Sequence, residues 1–577
     1  MKVFTLTLTP LQKGRLHLAL QASEDSYDPA ERMLRLPLQK NATYHTTLKG
    51  GWVHPNYLSL VYAVSLLDSA TEANLDRAAE ILDRVVNLQD VNPASPTYGI
   101  WSWFMDEPLE KMSPPDWNYA DFCGVQLIEA ILVHRPRLAS ELVQRIDAAI
   151  IHAAHSIKRR NVGPEYTNIA IMGGFACAIA GELYDIADLR DYGLARFRTF
   201  HAYTAQQGSF TEYNSPHYGM IALNEILRIC KYVQDAATRQ LAQELYHKGW
   251  EEISIHFHAP TKQWGGPHSR AYSALLAPDT QGFLNRATGA SFPNVSSMAE
   301  LYEHRLVHQC PRDLRSNFFA LDATRTVHEV FSKTDDGEAI GKTYLDADFT
   351  LGTINAGDLW NQRRALVAYW GDETAPKYLH LRCLHDGYDF SAGYLFSSQT
   401  EGDVLGGIVF AHDQGDTHVS LDMIKDSTIQ AEDIRIRIEL GGVNPVWNRR
   451  DGSTSISGDL GGLNLEFHAP YAFLDGTSAR LETGREEGKA WIDLVLYKGP
   501  SKKFHLPSLS SAAVVFALRL TKKKTASTPS PIVEERDGIL TTSWEGHRLV
   551  LSAVSRRLAE LRSICMAEES KAMEALV

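Results

Sequence analysis

Ile434-Arg435-Ile436-Arg437-Ile438-Glu439-Leu440 alternates apolar and charged residues without a break. A period of two puts every isoleucine on one face, so the stretch reads as an antiparallel strand with one side buried. Leu463-Asn464-Leu465-Glu466-Phe467-His468 repeats the pattern, and Trp491–Tyr497, Ala512–Leu520 and Leu549–Val554 are further strand candidates. Glycine pairs at 406–407, 441–442 and 461–462 punctuate this half of the chain.

Upstream of about residue 310 the period is helical instead. Leu75, Ala79, Leu82 and Val86 recur behind Ser69-Ala70-Thr71-Glu72, which reads as a capping box. Leu142, Ile146 and Ile150 stripe a second helix; Ile169, Met172, Ala176 and Ile179 a third; Met220, Leu223, Leu227 and Cys230 a fourth. Further helical stretches cover 52–67, 117–134, 185–206 and 236–257. Short connections make neighbouring helices antiparallel, but periodicity leaves open whether such hairpins close into a toroid or run as a solenoid. Met1-Lys2-Val3-Phe4-Thr5-Leu6-Thr7-Leu8-Thr9-Pro10 alternates and reads as a strand. The organisation expected is a strand-like extension over 1–40 lying against the β half, a helical domain over 41–305 and an antiparallel sheet domain over 306–577.

Composition limits the partners. The 577 residues are 44% hydrophobic and 22% charged, ordinary for a soluble globular chain, and 57 Lys plus Arg against 70 Asp plus Glu give a net charge of −13. An acidic chain is a poor binder of nucleic acid or anionic membrane, although a local cluster of Arg, His and amide groups still suits one small anion. No apolar run reaches the ~18 residues of a membrane span, and the N-terminus lacks the apolar core of a signal peptide; a cytoplasmic protein is expected. The sequons at Asn41 and Asn294 then carry little meaning. Six cysteines without a CxxC pair read as buried thiols. Without a Rossmann fingerprint or P-loop, no cofactor is expected, and the lone His256-Phe257-His258 is weak warrant for a metal. Lys522–Pro531 reads as an exposed basic loop, and the oligomeric state is not legible.

Polar and aromatic residues concentrate in three segments. Gly163-Pro164-Glu165-Tyr166-Thr167-Asn168 opens an apolar helix. Gly208-Ser209-Phe210-Thr211-Glu212-Tyr213-Asn214-Ser215-Pro216-His217-Tyr218 leads into another, one helical hairpin later. Trp264-Gly265-Gly266-Pro267-His268-Ser269-Arg270-Ala271-Tyr272 is the third. Loops carried on a rigid scaffold are where catalytic groups concentrate. Trp101, Trp103, Trp117 and Tyr119 suit stacking on sugar rings as well as core packing.

Helices first, sheets second, and an Asn followed one hairpin later by Glu-Tyr-Asn-Ser-Pro-His-Tyr resemble the toroid-plus-β-sandwich polysaccharide lyases, of the heparinase II/III and oligoalginate lyase kind. The resemblance implies an incomplete (α/α) toroid followed by an antiparallel β-sandwich. It implies a carbon–oxygen lyase that cleaves uronic-acid glycosides by β-elimination, with an anionic oligosaccharide as partner. In such enzymes an amide or His holds the uronate carboxylate, so charge flows into it as the C5 proton leaves; Asn168 matches that position. A Tyr then takes the C5 proton, protonates the departing O4, or does both; Tyr218 matches best and Tyr213 is the reserve. A free phenol titrates near ~10, so a base needs nearby positive charge, for which His268 and Arg270 are candidates. The family also uses a His from the β half; His380 and His385 are the candidates, beside the polar cluster Trp360-Asn361-Gln362-Arg363-Arg364. Substrate contacts are assigned to Trp117, Glu165, Glu212, Asn214, His217, Trp264, Tyr272, Gln362, Arg364 and His385.

Other functions stay open at this stage. An inverting glycoside hydrolase needs two opposed carboxylates; Glu165 and Glu212 occupy the two loops, with Asp116 and Asp121 near Trp117. An epimerase would use paired acid and base groups without cleaving a glycosidic bond. A non-catalytic carbohydrate-binding protein would use the aromatic residues alone.

Overall fold

The computed structural model describes residues 4–38, 45–69, 71–295, 301–302, 304–334, 337–418, 421, 424–449, 453–522 and 528–565. The chain forms two compact units that interleave along the sequence: 1–205, 220–248 and 296–309 in the first, and 206–219, 249–295 and 310–577 in the second. The loops 208–218 and 264–272 therefore cluster with the sheets, whereas the change of period falls near residue 310.

The first unit is helical. α1 is Pro10–Glu24, α2 Asn56–Ser69, α3 Glu72–Val86, α4 Tyr119–His134, α5 Ser140–Arg160, α6 Thr167–Tyr184 and α7 Ala187–Gln207. α2, α4 and α6 are buried around most of their circumference; every residue of α6 from Thr167 to Gly181 is buried. α3 and α5 instead bury one stripe, Ala78, Ile81, Leu82 and Val85 in α3 and Leu142, Ile146, Ile150 and Ile157 in α5. An all-apolar helix needs neighbours on every side, whereas an amphipathic one needs them on one. Accordingly α2 packs on both α3 and α4, α4 on α5 and α6, and α3 on α5. These antiparallel hairpins in an inner and an outer layer form the incomplete (α/α) toroid. α6 and α7 approach backbone to backbone, since a Cβ on Gly193 would lie 2.3 Å from the Ala178 amide nitrogen.

Two expectations at helix starts are corrected. Residues 4–9 form no strand, and short strands come later, at Tyr27–Asp28, Met33–Leu34 and Leu36–Pro37. Thr9 caps α1, Gln12 accepts from the Thr9 amide at 2.8 Å, and Pro10 fills the first turn, where a missing N–H costs nothing. α1 then buries Leu16, Ala19 and Leu20 against α2, in the helical unit. Ser69 does not cap α3 either; it closes α2, and Thr71 stands at the α3 N-cap without a side-chain cap bond. Ala70, the Asn41 sequon, Ser296 of the second sequon and 523–527 of the basic loop lie outside the described residues.

The second unit holds two large antiparallel sheets. One runs Arg480–Glu486, Lys489–His505, Thr428–Gly441, Lys377–His385, Leu366–Trp370, Phe349–Ile354, Gly337–Leu345, Arg325–Thr334. The other runs Ala356–Asp358, Gly393–Thr400, Asp403–Phe410, Ala512–Thr521, Asn464–Leu474, Ser455–Asp459, Val446–Arg449. Ile434, Ile436, Ile438, Trp370 and Leu381 from the first meet Leu395, Ile408, Phe467, Phe516 and Leu518 from the second in one core. This is the expected sandwich. A three-stranded sheet, Ile532–Arg536, Ile539–Trp544 and His547–Ser552, covers the outer face of the second sheet through Leu540, Trp544 and Leu551.

Candidate active site

The second and third polar segments are laced together inside the second unit, and Asn214 is the fastener. Its backbone is left-handed, at φ 42°. Its Nδ2 donates to the carbonyls of Gly265 and Pro267, both at 2.8 Å, and its Oδ1 accepts from the Trp264 indole. Its amide donates to Glu252 at 2.6 Å, and its carbonyl accepts from His268 Nδ1 at 2.7 Å. Ser269 Oγ donates to the Tyr213 carbonyl and Ser215 Oγ to the Arg270 carbonyl. The same Ser215 Oγ accepts from the Tyr218 amide at 3.0 Å, capping the helix that Tyr218 opens, α8 (Tyr218–Tyr232). Beneath, the loop rests on the sheet: His268 and Arg364 exchange backbone hydrogen bonds of 3.1 and 2.9 Å.

This lacing brings Arg270 to the ring of Tyr218, 4.7 Å from its centroid. Arg270 Nη2 donates to the Tyr218 hydroxyl at 3.1 Å and the Tyr272 hydroxyl at 3.2 Å, and the two hydroxyls are 2.8 Å apart. Arg270 Nε donates to Gln362 Oε1 at 2.7 Å, Nη1 faces Glu212 at 3.6 Å, and the guanidinium also lies over Trp360. His217 meets both tyrosine rings edge-on, at 5.0 and 4.9 Å. Burial pushes the Tyr218 phenol up, and the Arg270 charge opposes that push. Burial outweighs the guanidinium, so the phenol stays above its ordinary value, and Arg270 lessens the cost of forming the phenolate that removes a proton.

The sequence-derived candidates divide accordingly. Tyr218, Arg270, Tyr272, Gln362, Glu212 and His217 come together. Tyr213 is corrected: 7% exposed, it stacks on Phe331 at 4.1 Å, and burial raises its phenol to about 12. His268 is corrected as a source of charge, because burial lowers it to about 3 and it is a neutral ring at physiological pH. Asn214 and Arg364 are corrected as substrate contacts. Asn214 is fully enclosed with its groups spent on the loops, and Arg364 is buried with Nη1 on the Asn361 carbonyl at 2.5 Å. His385 reaches the Gln430 carbonyl at 2.9 Å and His380 the Arg363 carbonyl at 3.3 Å; no hydrogen bond joins either to Tyr218 or Arg270. Trp264 is buried and packs under Gly219. Sequence reasoning missed Glu252, whose signal is an acid between Trp250 and Ile253 on the buried stripe of α9 (Ala236–His256).

Asn168, Glu165 and Trp117 belong to the helical unit. Asn168 is 3% exposed in the first turn of α6, with Tyr166 as the N-cap, and its buried Oδ1 has no hydrogen-bond partner. Glu165 is exposed, and the Trp117 indole donates to the Pro96 carbonyl at 3.1 Å. His256 bonds Thr343 and Glu329, and His258 bonds Thr261 and the Asp346 carbonyl, so both pairs of ring nitrogens serve the fold. Among the described residues no group of three or more His, Cys, Asp or Glu is placed to hold a metal ion, and no helix is long and apolar enough to cross a membrane.

Residues 15–280 match a family model described as a domain of unknown function, DUF8769. A comparison with curated protein sequences gives no match. Among solved structures, a chondroitin AC lyase of Streptomyces coelicolor A3 in complex with chondroitin sulphate aligns over 94% of this chain and 84% of its own, at 11% identity and TM-score 0.49. A heparinase III aligns over 96% and 92%, at 10% identity and TM-score 0.45. A heparan sulfate lyase of Pedobacter heparinus aligns over 95% and 89%, at 12% identity and TM-score 0.33. The class that the chain's own architecture defines is a helical toroid followed by an antiparallel β-sandwich.

Proposed function

We propose that this protein is a carbon–oxygen lyase that cleaves uronic-acid-containing oligosaccharides by β-elimination, with Tyr218 as the proton carrier. The observation that carries the reading is the Arg270 fork on the paired hydroxyls of Tyr218 and Tyr272. A glycan-binding surface needs aromatic faces; it does not need a guanidinium locked by Gln362 against two phenol oxygens. In the proposed step the Tyr218 phenolate takes the C5 proton while Arg270 and the Tyr272 hydroxyl relieve its charge. The C4–O4 bond breaks, the C4–C5 double bond forms, and Tyr218 returns the proton to O4, which restores the phenolate. Glu212 faces Arg270 as an ion-pair partner, a poor arrangement for the protonated acid an inverting hydrolase requires.

The test is a screen of alginate, glucuronan, heparin, hyaluronan and rhamnose-linked uronate oligomers for ultraviolet absorbance of an unsaturated product. Absorbance on at least one substrate, abolished in Tyr218→Phe, is expected. Bond cleavage without absorbance would establish hydrolysis instead.

A further inference from the structure

Both N–H bonds of Arg270 Nη2 are spent on phenols, one on the Tyr218 oxygen at 3.1 Å and one on the Tyr272 oxygen at 3.2 Å. The two oxygens are 2.8 Å apart, so one hydroxyl also donates to the other. One O–H bond therefore bridges the pair and the second is left over. Tyr272 is 52% exposed, whereas Tyr218 is half-buried. The arrangement that leaves the spare proton to water has Tyr218 donating and Tyr272 facing out. When the pair loses a proton, the Tyr272 oxygen is the one that gives it up, with water on one side and two donors, Arg270 and Tyr218, on the other. The titratable neighbours of the pair are few. Arg270 is a permanent cation faced by Glu212 at 3.6 Å. Burial and the Arg270 charge hold His217 neutral against the pull of Asp279. Tyr369, which lines the same small cavity as Tyr272, is pushed up to about 12 by burial.

We propose that Tyr272 is the proton relay of Tyr218: the two phenols ionise as one pair, the resting charge sits on the solvent-facing Tyr272 oxygen, and the bridging proton crosses to that oxygen when Tyr218 acts as a base. In the crossing the Tyr218 O–H bond breaks, the Tyr272 O–H bond forms, and the charge moves to the Tyr218 oxygen; two hydroxyls 2.8 Å apart are within reach of such a transfer. The Tyr218 phenolate then takes the C5 proton and gives it to O4, and the bridging proton returns, so turnover consumes no outside acid or base. Tyr272 thus acts through Tyr218 and not on the sugar. The paired ionisation follows from the geometry of the phenols; its use in turnover rests on the lyase reading.

The experiment uses the full chain labelled with carbon-13 at the tyrosine Cζ, whose NMR shift reports ionisation, titrated from about pH 7 to about pH 11. The two signals are assigned by their loss in Tyr218→Phe and Tyr272→Phe. In wild type both are expected to move in one shared first step, Tyr272 the further, at a pH lower by about one unit or more than the step of the phenol left in either variant. Signals that titrate independently, each at the pH found when the other phenol is absent, overturn the pairing, as does a first step carried mainly by Tyr218. Turnover gives the second readout. Tyr272→Phe is expected to shift the alkaline rise of kcat to higher pH. It then loses roughly tenfold near neutral pH, with KM little changed, and closes the gap once the wild-type pair has ionised. A deficit of one size at every pH, or no deficit, overturns the relay, because lost packing does not titrate. If the phenols titrate as a pair while no uronate oligomer yields an unsaturated product, the paired ionisation stands and the elimination falls. If unsaturated product forms while the phenols titrate separately, the elimination stands and the relay falls.

Discussion

Arg270 meets Tyr218, Tyr272, Gln362 and Glu212 through one planar fork, and lies over two aromatic rings as well. Lysine offers a point charge and no such fork, so Arg270→Lys should lower kcat/KM by roughly a hundredfold while sugar affinity changes little. Tyr218→Phe removes the proton carrier and should cost roughly 10²–10⁴ in kcat. The pH profile follows from the same pair. Burial holds the Tyr218 phenol above its ordinary value, so the phenolate fraction grows with alkalinity. Turnover should therefore rise steadily from about pH 6 toward about pH 10, and Tyr218→Phe should flatten the rise. The Tyr218 and Arg270 pairing was accessible from the sequence because the Ser-Pro turn and the Gly-Gly-Pro turn both announce loops with polar ends. The choice between Tyr213 and Tyr218 was not. It depends on the lacing of Asn214, which turns Tyr213 onto Phe331, and no spacing encodes that long-range contact.

At the scale of elements, the site is two loops held to each other and to one strand. Asn214→Ala would leave the Gly265 and Pro267 carbonyls and the Trp264 indole without their partner. A loss of about 2–4 kcal/mol in chemical denaturation is expected, with kcat falling in parallel because Arg270 is no longer aimed. Gly352 marks where the loop meets the strand Phe349–Ile354: a Cβ there would lie 1.9 Å from the Gly266 carbonyl oxygen. Gly352→Ala should thus lower the melting temperature and lose activity together. The strands legible in the sequence were those with alternating faces, such as Thr428–Gly441, where the isoleucines are buried and Arg435 and Arg437 are not. Phe349–Ile354 and Leu366–Trp370 are buried at every residue, so they carry no period of two. The segment around Ala274 and Leu275 covers the outward face of Leu366–Trp370 through Val367 and Tyr369. α1 went unread for a different reason: its capping box, Thr9-Pro10-Leu11-Gln12, follows directly on an alternating stretch.

For the molecule as a whole, the change of period near residue 310 was enough to reveal an α half and a β half, but not that 206–219 and 249–295 cluster with the sheets. Those two segments carry the proposed chemistry, which links the sheet unit to function more closely than the sequence implied. The helical unit has its own anchor in Asp68, whose buried carboxylate binds Arg305, His134 and His304. Despite burial, these partners hold its carboxyl well below the usual carboxylate range. A depressed carboxyl stabilises the fold above the unfolded-state value of about 3.9 and loses that contribution as pH falls below it. Asp68→Asn should therefore cost about 3–5 kcal/mol in denaturant titrations near neutral pH, and shrink the difference between neutral and acid stability. The most direct measurement is the ultraviolet absorbance of products from a uronate oligosaccharide, followed for wild type and Tyr218→Phe under identical conditions. If Tyr218 carries the proton of a β-elimination, wild type gives a rising absorbance and Tyr218→Phe almost none, with substrate affinity retained. Cleavage without absorbance, or an undiminished rate in Tyr218→Phe, would contradict it.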